Sequence, residues 1–188
     1  ICLISDLPRS NYLSPKAYNI EDIEKGYKDL IINCIKFCKK FKKKFVFARK
    51  DYGTLYVNDK KFLKKKLNKS EYNFLKKNSV TREKDKYSSY KAIYNSNVVI
   101  GVNSTMLFEK ISLGGKIMAC NYTKCKIFDL PVNKYAFSKI SSYLQFEKKL
   151  LDIIKISEAK FINKINSKNC QLIESHKTNA IKKINEII

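Results

Sequence analysis

Residues 87–121, read as helix, strand, tight turn, helix and strand, constrain the fold more than any other part of the chain. Residues 97–102 (NVVIGV) form a short apolar run rich in β-branched side chains. Such a run marks a strand buried on both faces. Gly101, Val102, Asn103, Ser104 and Thr105 then turn the chain, and a hydroxyl at Ser104 or Thr105 can cap a new helix. That helix is expected to stop at Gly114-Gly115, where glycine admits a left-handed backbone. Lys116–Cys120 (KIMAC) supplies the next apolar strand. Two short buried strands joined by a helix make a right-handed βαβ unit with a parallel pair.

A parallel pair implies where a ligand goes, because open parallel sheets bind ligands outside the carboxyl ends of their strands. Here that end carries Asn103, Ser104 and Thr105 at a helix N-terminus, where free N–H groups and the helix dipole favour an anion such as a phosphate. Thr105 and Glu109 are four residues apart and share one helix face, and Ser112 continues it. Leu107 and Ile111 share another face and are expected to pack on the sheet. A carboxylate one turn inside a phosphate-binding helix is positioned to accept hydrogen bonds from a ribose. The same residues also suit a plain capped helix with a solvated Glu109, and so short a motif leaves both open.

The remaining chain extends the pattern. Residues 1–5 (ICLIS) read as a buried strand followed by a loop, in which Asp6 and Arg9 face the Ser104 cleft if the strand is parallel and adjacent. Residues 20–41 read as a long amphipathic helix, with Ile23, Tyr27, Leu30, Ile31, Cys34, Ile35 and Cys38 at spacings of three and four. Acidic residues open that helix and lysines close it, which complements its dipole. Residues 45–48 (FVFA) form a second strand, with Arg49 at its end as a phosphate or acceptor contact. Residues 59–67 and 71–76 read as lysine-rich helical pieces, and 79–81 as a weak strand. Ser88 or Ser89 is expected to cap a helix over 90–96. Residues 121–133 read as a polar loop, with Asn121, Tyr122 and Thr123 lining the site. From Ser141 onward the chain reads as helical, in segments that include a last one from Ala180. The division expected is a Rossmann-like unit over 1–140 with a helical extension of the same domain over 141–188. The first residue is Ile, which reads as a fragment of a longer protein.

Charge narrows the partners. The 188 residues hold 39 basic and 17 acidic side chains, a net charge of +22 that attracts polyanions. Nucleic acid, an anionic membrane surface and nucleotide-linked substrates all qualify. The skew toward Lys, Asn, Ile and Tyr is what an AT-rich genome produces, and only Arg9, Arg49 and Arg82 supply the bidentate contacts that nucleic-acid readers favour. Twelve tyrosines offer stacking surfaces, but they are scattered. The cysteines (Cys2, Cys34, Cys38, Cys120, Cys125 and Cys170) lack zinc-module spacing and read as free thiols of a reducing compartment rather than a four-thiolate site. His176 is the only histidine, in a polar helical tail. No paired-carboxylate or metal motif appears, so no metal or cofactor is expected. No apolar run is long enough to span a bilayer.

The residues Ser89-Tyr90-Lys91, then 96–101 (SNVVIG), then Ser104-Thr105 with Glu109, then Gly114-Gly115-Lys116 resemble a recurring block. It is similar to the C-terminal nucleotide-sugar-binding lobe of GT-B glycosyltransferases, especially bacterial capsule and surface-carbohydrate biosynthesis proteins. The resemblance is strongest over 87–121. Asn97 stands where Asp is usual, and Gly101 alone precedes Ser104 where the family's phosphate loop is richer in glycine. The resemblance implies an α/β fold with a Rossmann-like parallel sheet flanked by helices. It implies that Ser104-Thr105 holds the donor phosphate, that Glu109 contacts ribose or sugar, and that Arg49, Ser88 and Ser89 flank the nucleotide. It implies a nucleotide-sugar donor, a glycan or lipid-linked acceptor, a separate N-terminal acceptor lobe and metal-independent transfer. The corresponding location is the cytoplasm, peripheral to the inner face of the membrane. The alternatives are a basic α/β nucleic-acid-binding protein and a degenerate, non-catalytic GT-B-like domain.

Overall fold

The computed structural model describes residues 1–5, 19–49, 53–81 and 85–166. Six strands form one parallel sheet: β1 (Cys2–Ile4), β2 (Val46–Ala48), β3 (Ser79–Val80), β4 (Val98–Gly101), β5 (Lys116–Cys120) and β6 (Phe137–Ser138). Their order is β3-β2-β1-β4-β5-β6. Leu3 of β1 lies between Phe47 of β2 and Ile100 of β4. The central strands are unbroken apolar runs because they are covered on both faces and need no polar side. Accordingly β1, β4 and β5 are buried along their whole lengths.

Helices cover both faces. After β1 comes α1 (Ile20–Lys40), opened by the Asn19 side chain, which accepts the Glu21 N–H. After β2 come α2 (Gly53–Lys66) and α3 (Lys69–Lys77), the latter closed at its start by a reciprocal Asn68–Glu71 capping box. Between β3 and β4 runs α4 (Ser88–Tyr94), and between β4 and β5 runs α5 (Thr105–Ser112). Successive strands step one way from β1 to β3 and the other way from β4 to β5. Right-handed crossovers therefore put α1 and α3 on one face and α4 and α5 on the other. In keeping with this, α1 touches α3 and α6 (Tyr143–Lys155), and α4 touches α5. The final described helix, α7 (Glu158–Ile165), packs on β5. Phe146, Leu150, Ile153, Phe161 and Ile165 are fully buried in the same core as the sheet. Each such side chain contributes about 1.5–3 kcal/mol through its removal from water.

The structure differs from the sequence reading in three local places. Phe137–Ser138 is a strand in a stretch to which the sequence assigned no element; two residues are too few to show a period of two. Helix α4 starts at Ser88, ahead of residue 90, and neither Ser88 nor Ser89 caps it. Tyr87 holds the cap position without a side-chain bond, and the carboxylate of Asp85 accepts the Tyr87 N–H at 2.9 Å. Helix α2 begins at Gly53, ahead of residue 59. Asp6, Arg9, Cys170, His176 and the segment from Ala180 lie outside the described residues.

Candidate functional site

The strand order reverses direction between β1 and β4, which are hydrogen-bonded neighbours. The helices that follow these two strands, α1 and α5, lie on opposite faces of the sheet, and such a switch point is the place where open α/β sheets bind ligands. The described residues at this switch point are Ser5 after β1 and 102–104 after β4. Ser5 is buried, donates its N–H to the Ala48 carbonyl at 2.8 Å, and accepts a hydrogen bond from the Tyr27 hydroxyl at 3.3 Å. The end of β1 is thereby tied to both β2 and α1.

On the other side, Val102 is buried, Asn103 is exposed and Ser104 is the extended N-cap residue of α5. Ser104 occupies the capping position but its hydroxyl makes no capping bond, in contrast to the expectation from sequence. The first-turn amides of α5 are left without an acceptor from that side chain. Thr105 is exposed, Glu109 is half-buried one turn later, and Ser112 is exposed. Leu107 and Ile111 are buried against the sheet. At the far end of α5, Gly114 takes φ +77°, the left-handed stop that the sequence indicated.

The remaining proposed site residues are spread more widely. Asn103 reaches the Ile127 carbonyl at 3.4 Å and so links the β4 loop to the 3₁₀ turn Lys126–Phe128. Asn121, Tyr122 and Thr123 follow β5 and are buried. The Asn121 amide donates to the Cys125 carbonyl at 2.8 Å and to Asp129 at 2.6 Å. Its oxygen accepts from the Thr123 hydroxyl at 2.6 Å. Burial opposes charge on Asp129, but hydrogen bonds from Lys139 and Asn121 outweigh it and hold the carboxyl below its usual range. Asn121 and Thr123 therefore organise this loop from within. Arg49 follows β2, two strands from β4, and lines a small hollow with Leu63, Tyr72 and Leu75. Ser89 is buried in the first turn of α4. Ser88 faces a cavity with Ile1, Lys43 and residues 95–97, which precede or open strands at the amino-terminal edge. The structure thus brings Ser5, Asn103, Ser104, Thr105 and Glu109 to one edge, and it leaves Arg49 and Ser88 in other hollows.

Sequence reasoning missed two buried lysines. Lys110 donates to the Tyr94 carbonyl at 3.3 Å, and Lys116 donates to the Ile154 and Ile156 carbonyls, each at 3.0 Å. These carbonyls end α4 and α6, where a cation meets the negative end of the dipole. Burial lowers both ammonium pKa values, with Glu158 working in the opposite direction. The signal was a lysine set directly against an apolar strand, KIMAC. The five described cysteines are free and buried.

A family model described as "putative O-antigen biosynthesis protein" matches residues 16–147, more than half of the chain. The chain belongs to that family. The match runs from just before α1 into α6 and includes the whole β4-α5-β5 unit. The O-antigen biosynthesis family places the chain in surface-polysaccharide biosynthesis in general terms. No curated protein and no solved structure matches the chain. Among the described residues no helix is long and apolar enough to cross a membrane.

Proposed function

We propose that this member of the O-antigen biosynthesis family is the donor-binding lobe of a GT-B glycosyltransferase that transfers a sugar from a nucleotide-activated donor to a surface-glycan acceptor. The observation that carries the proposal is the strand order, with its reversal between β1 and β4 beneath the uncapped N-terminus of α5. In this reading the amides of the first α5 turn, with the Ser104 and Thr105 hydroxyls and the Asn103 amide, take the donor phosphates. Glu109, one turn further along, accepts hydrogen bonds from ribose or sugar hydroxyls. The helix dipole stabilises the leaving phosphate without a metal ion. The acceptor and the proton-accepting base belong to a facing lobe. A nucleotide-sugar donor places this step in the cytoplasm, where free buried thiols also persist.

Calorimetric titration tests the proposal, with UDP, CDP, GDP and CMP added to the chain and to the Ser104→Ala, Thr105→Ala and Glu109→Ala variants. One nucleotide binds saturably, and loss of a hydrogen bond to a charged group weakens it by about tenfold. Binding that ignores base identity and fades with salt contradicts the proposal and assigns the affinity to the lysine field.

A further inference from the structure

A cavity of about 530 Å³ lies at the amino-terminal edge of the sheet, opposite the edge that carries Ser104. Its apolar lining is aliphatic: Ile1, Val46, Val80, Ala92 and Ile154. One wall is a single face of α4, with Ser88, Lys91, Ala92 and Asn95 at positions i, i+3, i+4 and i+7. The Ser88 hydroxyl oxygen is buried there and has no hydrogen-bond partner among the described residues. A buried hydroxyl left unpaired is costly, and a ligand atom that bonds it removes the cost. Lys43 and Lys44 stand at the rim, both exposed, and no described carboxylate pairs with either. Lys91 is neutralised by Asp85 at 2.7 Å. The net charge of the rim is therefore positive.

We propose that this cavity binds a lipid phosphate, an apolar chain carrying an anionic phosphate head. Its volume falls within the roughly 300–1,000 Å³ of small-molecule sites. The aliphatic lining takes the chain, and among the described residues no aromatic ring lines it to stack a nucleotide base. Lys43 and Lys44 meet the phosphate as point charges, and Ser88 donates from the wall. The outer side of α4 carries Tyr87 and Tyr94, which are 58% and 71% exposed. Such side chains suit a boundary between apolar and aqueous surroundings. This site is independent of the donor reading, since it lies at the other edge of the sheet.

The test is calorimetry with monomeric dodecyl phosphate, with inorganic phosphate and dodecyl maltoside as controls for head and chain alone. The variants are the double charge reversal Lys43→Glu with Lys44→Glu, on exposed positions, and the cavity-filling Ala92→Phe. Saturable one-to-one binding is expected, weakened about tenfold by the charge reversal and lost in Ala92→Phe, with circular dichroism unchanged. If Ala92→Phe does not fold, the charge reversal and the two controls decide. Co-sedimentation with phosphatidylglycerol vesicles separates the sources of the phosphate. Capture that dodecyl phosphate competes away identifies a bilayer lipid, and dodecyl phosphate binding without capture identifies a free one; both uphold the site. Non-saturable binding, equal affinity for inorganic phosphate, or affinity that ignores the charge reversal overturns it. Vesicle capture that dodecyl phosphate cannot compete assigns the contact to surface lysines instead.

Discussion

Gly26 sits inside α1, where alanine would ordinarily stabilise a helix by about 0.5–1 kcal/mol. Here the sign reverses. A Cβ at this position would lie 2.4 Å from the Tyr122 carbonyl carbon and oxygen and 2.7 Å from the Thr123 nitrogen. These are backbone atoms of a loop held from within by Asn121, and they cannot swing aside as a side-chain tip would. Gly26→Ala is therefore expected to destabilise the fold by about 1–3 kcal/mol, as overpacked cores do. Urea denaturation measures the effect, and an unchanged or raised midpoint contradicts the close approach of α1 to the β5 loop. Gly115 is a milder case. A Cβ there would meet the Lys110 side chain, whose Cε lies 2.2 Å away, so the glycine leaves the path along which Lys110 reaches the Tyr94 carbonyl.

Whole elements carry a different dependence, on pH. Cys2 of β1 and Cys120 of β5 are pushed up to about 12 by burial, and Cys38 of α1 to about 11, from an ordinary value near 9. A folded-state pKa above the unfolded value means the folded chain holds its protons longer. The stability tied to these thiols is complete below about pH 9 and is lost as pH rises through 11 to 12. Lys110 and Lys116, lowered by burial, work the other way over the alkaline range and offset part of the loss. Thermal melts from neutral to about pH 11 are expected to fall on the alkaline side, and Cys120→Ala to flatten that fall. A flat profile in the parent chain contradicts the burial of these thiols. The elements themselves were largely legible. The 97–102 and KIMAC runs announce β4 and β5 through unbroken apolar character, and the spacing from Ile23 to Cys38 announces α1. β6 was not legible, because its two residues gain strand form only by pairing with Ala119 and Cys120. Of the candidate site, residues 103–109 were legible as a turn and helix start. The inward commitment of Asn121 and the seats of Arg49 and Ser88 depend on neighbours distant in sequence, which local pattern does not encode.

At the scale of the molecule, one sheet presents two edges with different chemistry. The carboxyl edge gathers Ser5, Asn103, Ser104 and Thr105 around a helix N-terminus. The amino edge gathers an aliphatic cavity beneath Lys43 and Lys44. The net charge of +22 attracts anions to both, so affinity alone does not separate a built site from a general field. Location does. The decisive measurement is amide chemical-shift mapping of the isotope-labelled chain during titration with UDP, CDP, GDP and CMP. The account predicts that one nucleotide moves the amides of Ser5, Val102, Asn103, Thr105 and Met106 most, in a saturable way that persists at physiological salt. Shifts confined to Lys43, Lys44 and residues 95–97, or spread over the lysines and erased by salt, would contradict a donor site at the β1–β4 switch point.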